Sequence, residues 1–417
     1  MKPIFTSLSP NTEKDDIFLA LKLIFSPWKW KDRKASQKLE QKIKDYFNIK
    51  HAFVFNSGRS SLMAVLKALE IEPGKEILLQ AFTCNAAVNP LLDAKLKPVF
   101  ADIDDTLNID PLSVKSKINQ NTKAIMVQHT FGFPAQVEKI LEIAKKNNLF
   151  LIEDNAHAFG ASINGRLCGT FGDVTFLSFG RDKIISSIFG GAVITNNNEI
   201  AEKVEDFQQK INYPSAFWIF QQLLHPLLTN WLIIPFYSLN QYLGRIFLGG
   251  FHKLLFLSKS VYKKEKNGEI PFCFPKKMPG VLALLALNQM KKIEKFNEHR
   301  QEIADFYIKN LKNPNLKHVF SQSKERNVIF MRYPILSNLN TDDILKKGRL
   351  KKIFLNDGWR KSPIVPVDTK LEKMNYIQGS CLKAEKASNT IINLPTHINI
   401  TKNKAKRIID FLNNYGN

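Results

Sequence analysis

Three short stretches carry residue types whose chemistry could combine. Ser178-Phe179-Gly180-Arg181-Asp182-Lys183 follows the apolar run VTFLSF and ends in a primary amine. A lysine there could form a Schiff base with an aldehyde cofactor and afterwards shuttle a proton. Asp154 closes another apolar run, in LFLIEDNAHAFGA. A carboxylate at that point could keep a pyridine nitrogen protonated and make the ring an electron sink. His157 follows closely and could lie against such a ring or its phenolic oxygen. The third stretch, Asn56-Ser57-Gly58-Arg59-Ser60-Ser61, opens directly into a helical pattern. N–H groups at a helix start, with small residues and hydroxyls, cradle a phosphate. Ser57, Gly58 and Arg59 would be the contacts, Arg59 would add a charge, and Ser178 could bind phosphate or a cofactor oxygen.

Each stretch has an ordinary reading by itself. A Gly/Ser turn commonly just joins a strand to a helix, a strand-end Asp commonly caps one, and a lone lysine is commonly a solvated charge. The order of the three in one frame joins them. That frame is a set of seven strand-like runs, HAFVFN, EILLQAF, KPVFADI, KAIMVQHT, LFLIED, VTFLSF and GGAVIT. Most alternate with helical segments such as RSSLMAVLKALE and AQVEKILEIAKKNN, whose apolar residues recur at helical spacing. Such a pattern predicts an α/β fold with a mainly parallel sheet covered on both faces. Right-handed crossovers gather the strand-to-helix loops, and with them the site, at the carboxyl edge. The last three runs leave little room for helices, which predicts an antiparallel strand there.

The pattern changes after residue 205. Ile211 to Gly244 holds no Asp, Glu, Lys or Arg and is rich in Phe, Trp, Leu and Ile. Pro214, Pro226 and Pro235, with several amide side chains, argue against one straight membrane span. Two readings stand: a helical insertion packed on the body or on a dimer partner, and a monotopic contact with a membrane through 211–257. Breaks are expected at Pro226 and Pro235. A long helical pattern from Met278 to Tyr307 follows, then a smaller α+β portion with a final helix capped by Thr401. The expected division is 1–205 for an N-terminal segment and large domain, 206–270 for the insertion and 271–417 for the remainder.

At 417 residues, 44% hydrophobic and 24% charged, the chain suits a globular protein of two domains. Cys84, Cys168, Cys273 and Cys381 lie far apart without a CxxC pair, so neither a disulfide framework nor a metal site is expected. With no basic-then-apolar leader in view, a cytoplasmic setting fits. The net charge of +22 reads first as a lysine-rich surface, and no zinc-finger or RNP pattern supports nucleic acid.

Taken together, SGRSSL, FTCNAAVNPLL, KPVFADID, TKAIMVQHTFG, IEDNAHAFGA, SFGRDK, FGGAVITN and CLKAEKASNTIINLPTHINIT resemble the DegT/DnrJ/StrS family of sugar aminotransferases, which depend on pyridoxal 5'-phosphate (PLP). The resemblance covers most of the chain outside roughly 205–270. It implies the fold type I PLP-transferase architecture, a homodimer with sites completed across the interface, and transfer of an amino group to a nucleotide-linked keto-sugar. Glutamate is the usual amino donor, and the products serve cell-surface polysaccharide or glycan synthesis. It also implies Lys183 as the Schiff-base lysine, Asp154 as the pyridine-nitrogen partner, His157 beside the cofactor, and Ser178 with Ser57-Gly58-Arg59 at the phosphate. Relatives that became PLP dehydratases carry histidine where Lys183 stands, so transamination is favoured over a dehydratase, another PLP reaction or a non-catalytic scaffold. Three positions depart from the family. Arg59 replaces a threonine in the phosphate turn. Cys84 replaces the aromatic that stacks on the ring, leaving Phe82 as a substitute. Pro275 stands where the partner supplies an asparagine near the phosphate, while Lys277 matches a nearby arginine.

Overall fold

The computed structural model describes residues 2–320 and 325–416. All seven apolar runs become strands of one sheet, in the spatial order His51–Phe55, Gly191–Thr195, Val174–Ser178, Phe150–Asp154, Thr122–Gln128, Glu76–Gln80, Lys97–Ala101. Six point one way, and Gly191–Thr195 opposes both of its neighbours. The antiparallel strand expected from the crowded last runs therefore lies inside the sheet. Glu76–Gln80 and Gly191–Thr195 are buried at every position, as strands covered on both faces should be. One face carries Ile77, Leu79 and Val193 into the main core, and the other carries Leu78, Ile125 and Leu151 against the Val137–Lys146 helix.

A second core belongs to a three-stranded antiparallel sheet of Leu316–His318, Arg332–Ser337 and Ile391–Pro395. Helices Ile293–Asn310, Thr341–Leu350 and Lys402–Asn413 cover it with Tyr307, Ile344 and Ile408. The last begins at Thr401, whose side chain accepts from Lys404 N at 3.3 Å. The single long helix expected from Met278 to Tyr307 is two, Gly280–Met290 and Ile293–Asn310, parted at Lys291 and Lys292.

The uncharged segment folds as helices Ala216–Leu228, Ile234–Leu239 and Gln241–Lys253, with one wide turn at Thr229–Ile233. The expected breaks at the prolines do not occur. Pro226 sits inside the first helix, and Pro235 falls in the first turn of the second, where no N–H is needed. The chain turns instead at Asn240, which has extended dihedrals and caps the third helix. Trp218, Ile219, Leu223 and Leu227 enter the main core, while Ile233, Tyr237 and Leu257 cluster with Phe5, Leu8 and Phe354 beside the short pairing of Ile4–Phe5 with Ile353–Phe354. No helix among the described residues is long and apolar enough to cross a membrane.

Candidate active site

Sheet register assembles the site. Asp154 pairs with Phe176 and Ser178 with Gly191, which also faces Phe55, so the ends that carry Asp154, Ser178 and the Ser57 turn meet at one edge. A cavity of about 500 Å³ opens there, lined by Ser57, Gly58, Arg59, Cys84, Asp154, His157, Ser178 and Lys183 among others. Eight of the nine residues singled out from the sequence thus share one space; Phe82 does not.

Lys183 Nζ lies 2.8 Å from His157 Nε2 and 3.9 Å from Asp182 Oδ1. His157 is buried, and burial together with the Lys183 and Arg332 charges holds its pKa well below the ordinary value. It is neutral at physiological pH and can accept from the lysine. Its ring stacks on Phe131 at 5.7 Å and meets Trp359 edge-on at 4.9 Å. Asp154 accepts from Ala156 N at 3.0 Å, and among the described residues no cation is ion-paired to it. Burial raises its pKa to about 6, with the Ala156 N–H and the Lys183 charge working the other way.

At the phosphate turn, Ser57 caps the Gly58–Ala68 helix and accepts from Ser60 N at 3.0 Å. The N–H groups of Gly58 and Arg59 fall in the first turn, where a helix offers no internal acceptor. Gly58 packs so closely on Ser178 that a Cβ would stand 2.9 Å from the serine Cβ. The Arg59 side chain does not point its charge at this cradle: it pairs with buried Glu265 and donates to Ser260 O at 2.8 Å. Cys84 reaches the cavity as a small half-buried thiol, its pKa pushed up by burial. Residues two apart in a strand would share a side, and Phe82, two residues before Cys84, was expected to substitute for the stacking aromatic. Its φ of 61° interrupts that alternation, and the ring is buried against Phe131 and Trp359. Pro275 and Lys277 do not line this chain's cavity; Lys277 donates to Gln209 O at 3.1 Å.

Several lining residues carried no local signal. Trp359 and Asp357 come from the C-terminal third of the chain. Asp357 lies 2.7 Å from Arg332 Nη1, and the other Arg332 nitrogen pairs with Asp182, beside Lys183. A fully buried guanidinium therefore ties the lysine loop to the smaller domain. The insertion adds His225, Leu248 and His252, and Arg181 lines the cavity from the lysine loop itself. The SFGRDK stretch displayed Arg181 in plain view, but nothing in its spacing gave it a partner.

The model of the DegT/DnrJ/EryC1/StrS aminotransferase family matches residues 11–213 and 252–413. The chain belongs to that family. The aminotransferases of this family are PLP-dependent and include sugar aminotransferases, and the unmatched gap falls within the apolar insertion. GDP-perosamine synthase of Escherichia coli O157:H7 is 28% identical over 304 residues, 73% of this chain and 69% of the relative. The fold matches Helicobacter pylori PseC, an aminotransferase involved in pseudoaminic acid biosynthesis, with a TM-score of 0.76 at 24% identity over 99% of this chain and 98% of the other. A Streptococcus pneumoniae protein solved in its PLP form superposes with a TM-score of 0.75 at 18% identity, again over 99% and 98%. The residues present suit PLP. A buried carboxylate without an ion partner, an amine beside a neutral imidazole, and a helix start closed on a serine answer its ring nitrogen, aldehyde and phosphate.

Proposed function

We propose that this enzyme moves an amino group from an amino-acid donor, with glutamate the first choice, to the ketone of a nucleotide-linked sugar. The observation that carries this reading is the Lys183 amine, 2.8 Å from a neutral His157, in the cavity that holds Asp154. When bound, PLP supplies an electron sink that stabilises negative charge at the donor's α-carbon. Lys183 Nζ holds the cofactor, then carries a proton away from that carbon, and His157 accepts from the amine and keeps it oriented. Asp154 keeps its negative charge against the ring nitrogen. The bridge of Arg332 to Asp182 and Asp357 fixes the lysine loop while the amine moves.

Borohydride reduction of the PLP-loaded protein, followed by peptide mapping, should place the cofactor on the peptide that contains Lys183. Label on another lysine would overturn the assignment. Amino donors screened against nucleotide keto-sugars, with masses read for the exchange of oxygen for nitrogen, then identify the pair. A product that has lost water in place of gaining nitrogen would favour the dehydratase.

The same reading includes a homodimer and a peripheral contact of residues 211–257 with a membrane. Supporting the contact are Leu239, Tyr242, Ile246 and Leu254, each between 64% and 72% exposed on the insertion.

A further inference from the structure

Arg181 stands close before Lys183 and lines the same cavity. Its guanidinium donates to Ser258 O at 2.7 Å and to Ser258 Oγ, and it lies over the Phe189 ring at 5.2 Å. Ser258 Oγ donates in turn to Gln222 Oε1 at 2.8 Å, so the inserted helix Ala216–Leu228 sets the position of the guanidinium. Burial lowers its pKa to about 10, which leaves it charged at physiological pH.

The other lysines and arginines lining the cavity have carboxylates close by: Arg59 pairs with Glu265 and Lys266 with Asp368, while Lys183 is 3.9 Å from Asp182. Among the described residues Arg181 has no carboxylate within ion-pair distance, and its Nε lacks a hydrogen-bond partner. His225, also lining the cavity, has an unpartnered Nδ1 and is kept neutral by burial and by the Arg181 charge. A half-buried guanidinium whose Nε is shut off from water and which no carboxylate touches is costly, so the place calls for an anion.

Its neighbours identify that anion. Arg181 and Arg59 grip the same short loop, one at Ser258 and the other at Ser260 O. Gly180, next to Arg181, has its Cβ direction 3.5 Å from Ser178 Oγ. Arg181 thus shares the cavity with the Ser57-Gly58-Arg59 helix start and is near enough to feel the Arg59 charge, which Glu265 already neutralises. We propose that Arg181 is the counter-ion of the cofactor's phosphate, and that the inserted segment, by fixing it through Ser258, completes this site within one chain. The inference rests on the reading that the cavity holds PLP. It assigns to one chain a contact that the family resemblance gives to a partner subunit's asparagine.

The test is a titration of cofactor-free protein with PLP and, separately, with pyridoxal, which lacks the phosphate, both followed by absorbance. Arg181→Met should weaken PLP about 10- to 100-fold while leaving pyridoxal unchanged, the range expected for losing charge-assisted hydrogen bonds. Arg181→Lys should recover part of the loss. Ser258→Ala should weaken PLP in the same direction by less, and it answers the question should Arg181→Met not fold. Equal loss of PLP and pyridoxal, or unchanged PLP affinity with a raised KM for donor or acceptor, would overturn the assignment. Wild-type protein that binds neither ligand sinks the cofactor reading, and the inference with it.

Discussion

Asp154 is buried at the end of its strand with one backbone N–H for company, an arrangement that costs stability until a cation arrives. Its pKa rises from 3.8 to about 6 on folding, so the folded state binds the proton more tightly than the unfolded chain. The sign follows: the contribution is most favourable below 3.8 and is lost as pH rises through about 6. Asp154→Asn has no such slope. In cofactor-free protein, urea unfolding from pH 4 to pH 7 should show the variant gaining on wild type by up to about 3 kcal/mol. Turnover should fall by orders of magnitude while PLP still binds. A variant that turns over normally would remove Asp154 from the chemistry. The placement of Asp154, Lys183 and the Ser57 turn was legible because each lies at or within a few residues after the end of a strand whose apolar run is plain. Phe82 does not take the stacking place because its positive φ turns the ring away to pack on Phe131 and Trp359, a backbone reversal that nearness in sequence does not reveal. Trp359 and Asp357 were illegible because they reach the cavity from a distant part of the chain, and the Arg332 bridge that ties Asp357 to Asp182 is one that no local spacing encodes.

At the level of elements, the sheet was readable because its strands are continuously apolar, while the helical breaks were not. Pro235 suits the first turn of its helix and Pro226 is tolerated inside another, and the chain turns at Asn240, where a side-chain cap to Tyr242 N at 2.7 Å competes with helix continuation. Strand packing also sets how closely the phosphate turn can approach. At Gly191 an added Cβ would stand 2.7 Å from both Gly58 N and Leu177 O, and these are backbone atoms that cannot swing aside. Gly191→Ala should therefore push the Gly58–Ala68 helix start away from Ser178. The expected cost is about 1–3 kcal/mol in urea unfolding, the range for overpacking, together with weaker PLP uptake. Unchanged stability and unchanged uptake would show that this edge tolerates a methyl group and does not gauge the cradle.

For the whole molecule, the insertion presents two faces. Leu248 and His252 line the cavity, and Gly244 packs on Tyr237, whereas Tyr242 and Ile246 point outward from the same helix. Beyond them Leu239, Leu254 and Leu255 are also exposed, and Trp231 meets exposed Phe18 of the Lys14–Ile24 helix edge-on at 6.4 Å, which extends the apolar surface. No acidic residue lies between Asp206 and Glu265, while Lys210, Arg245, Lys253, Lys259, Lys263 and Lys264 do, in a chain of net charge +22. An apolar face with basic surroundings suits an anionic lipid surface better than a second copy of the same basic chain, which would set like charges together. The 13-residue helix Gln241–Lys253 spans only about 20 Å, which suits lying in the headgroup layer. Wild-type protein should sediment with phosphatidylglycerol-containing vesicles and release as salt rises. Leu239→Ser, Ile246→Ser and Leu254→Ser combined should weaken vesicle binding about 100-fold, at roughly 1 kcal/mol for each partly buried side chain. All three side chains are largely exposed and none lines the cavity, so PLP uptake should be unaffected. If wild-type protein ignores vesicles and the same three substitutions dissociate a dimer in sedimentation, the face is an interface between copies, and the membrane contact is refuted.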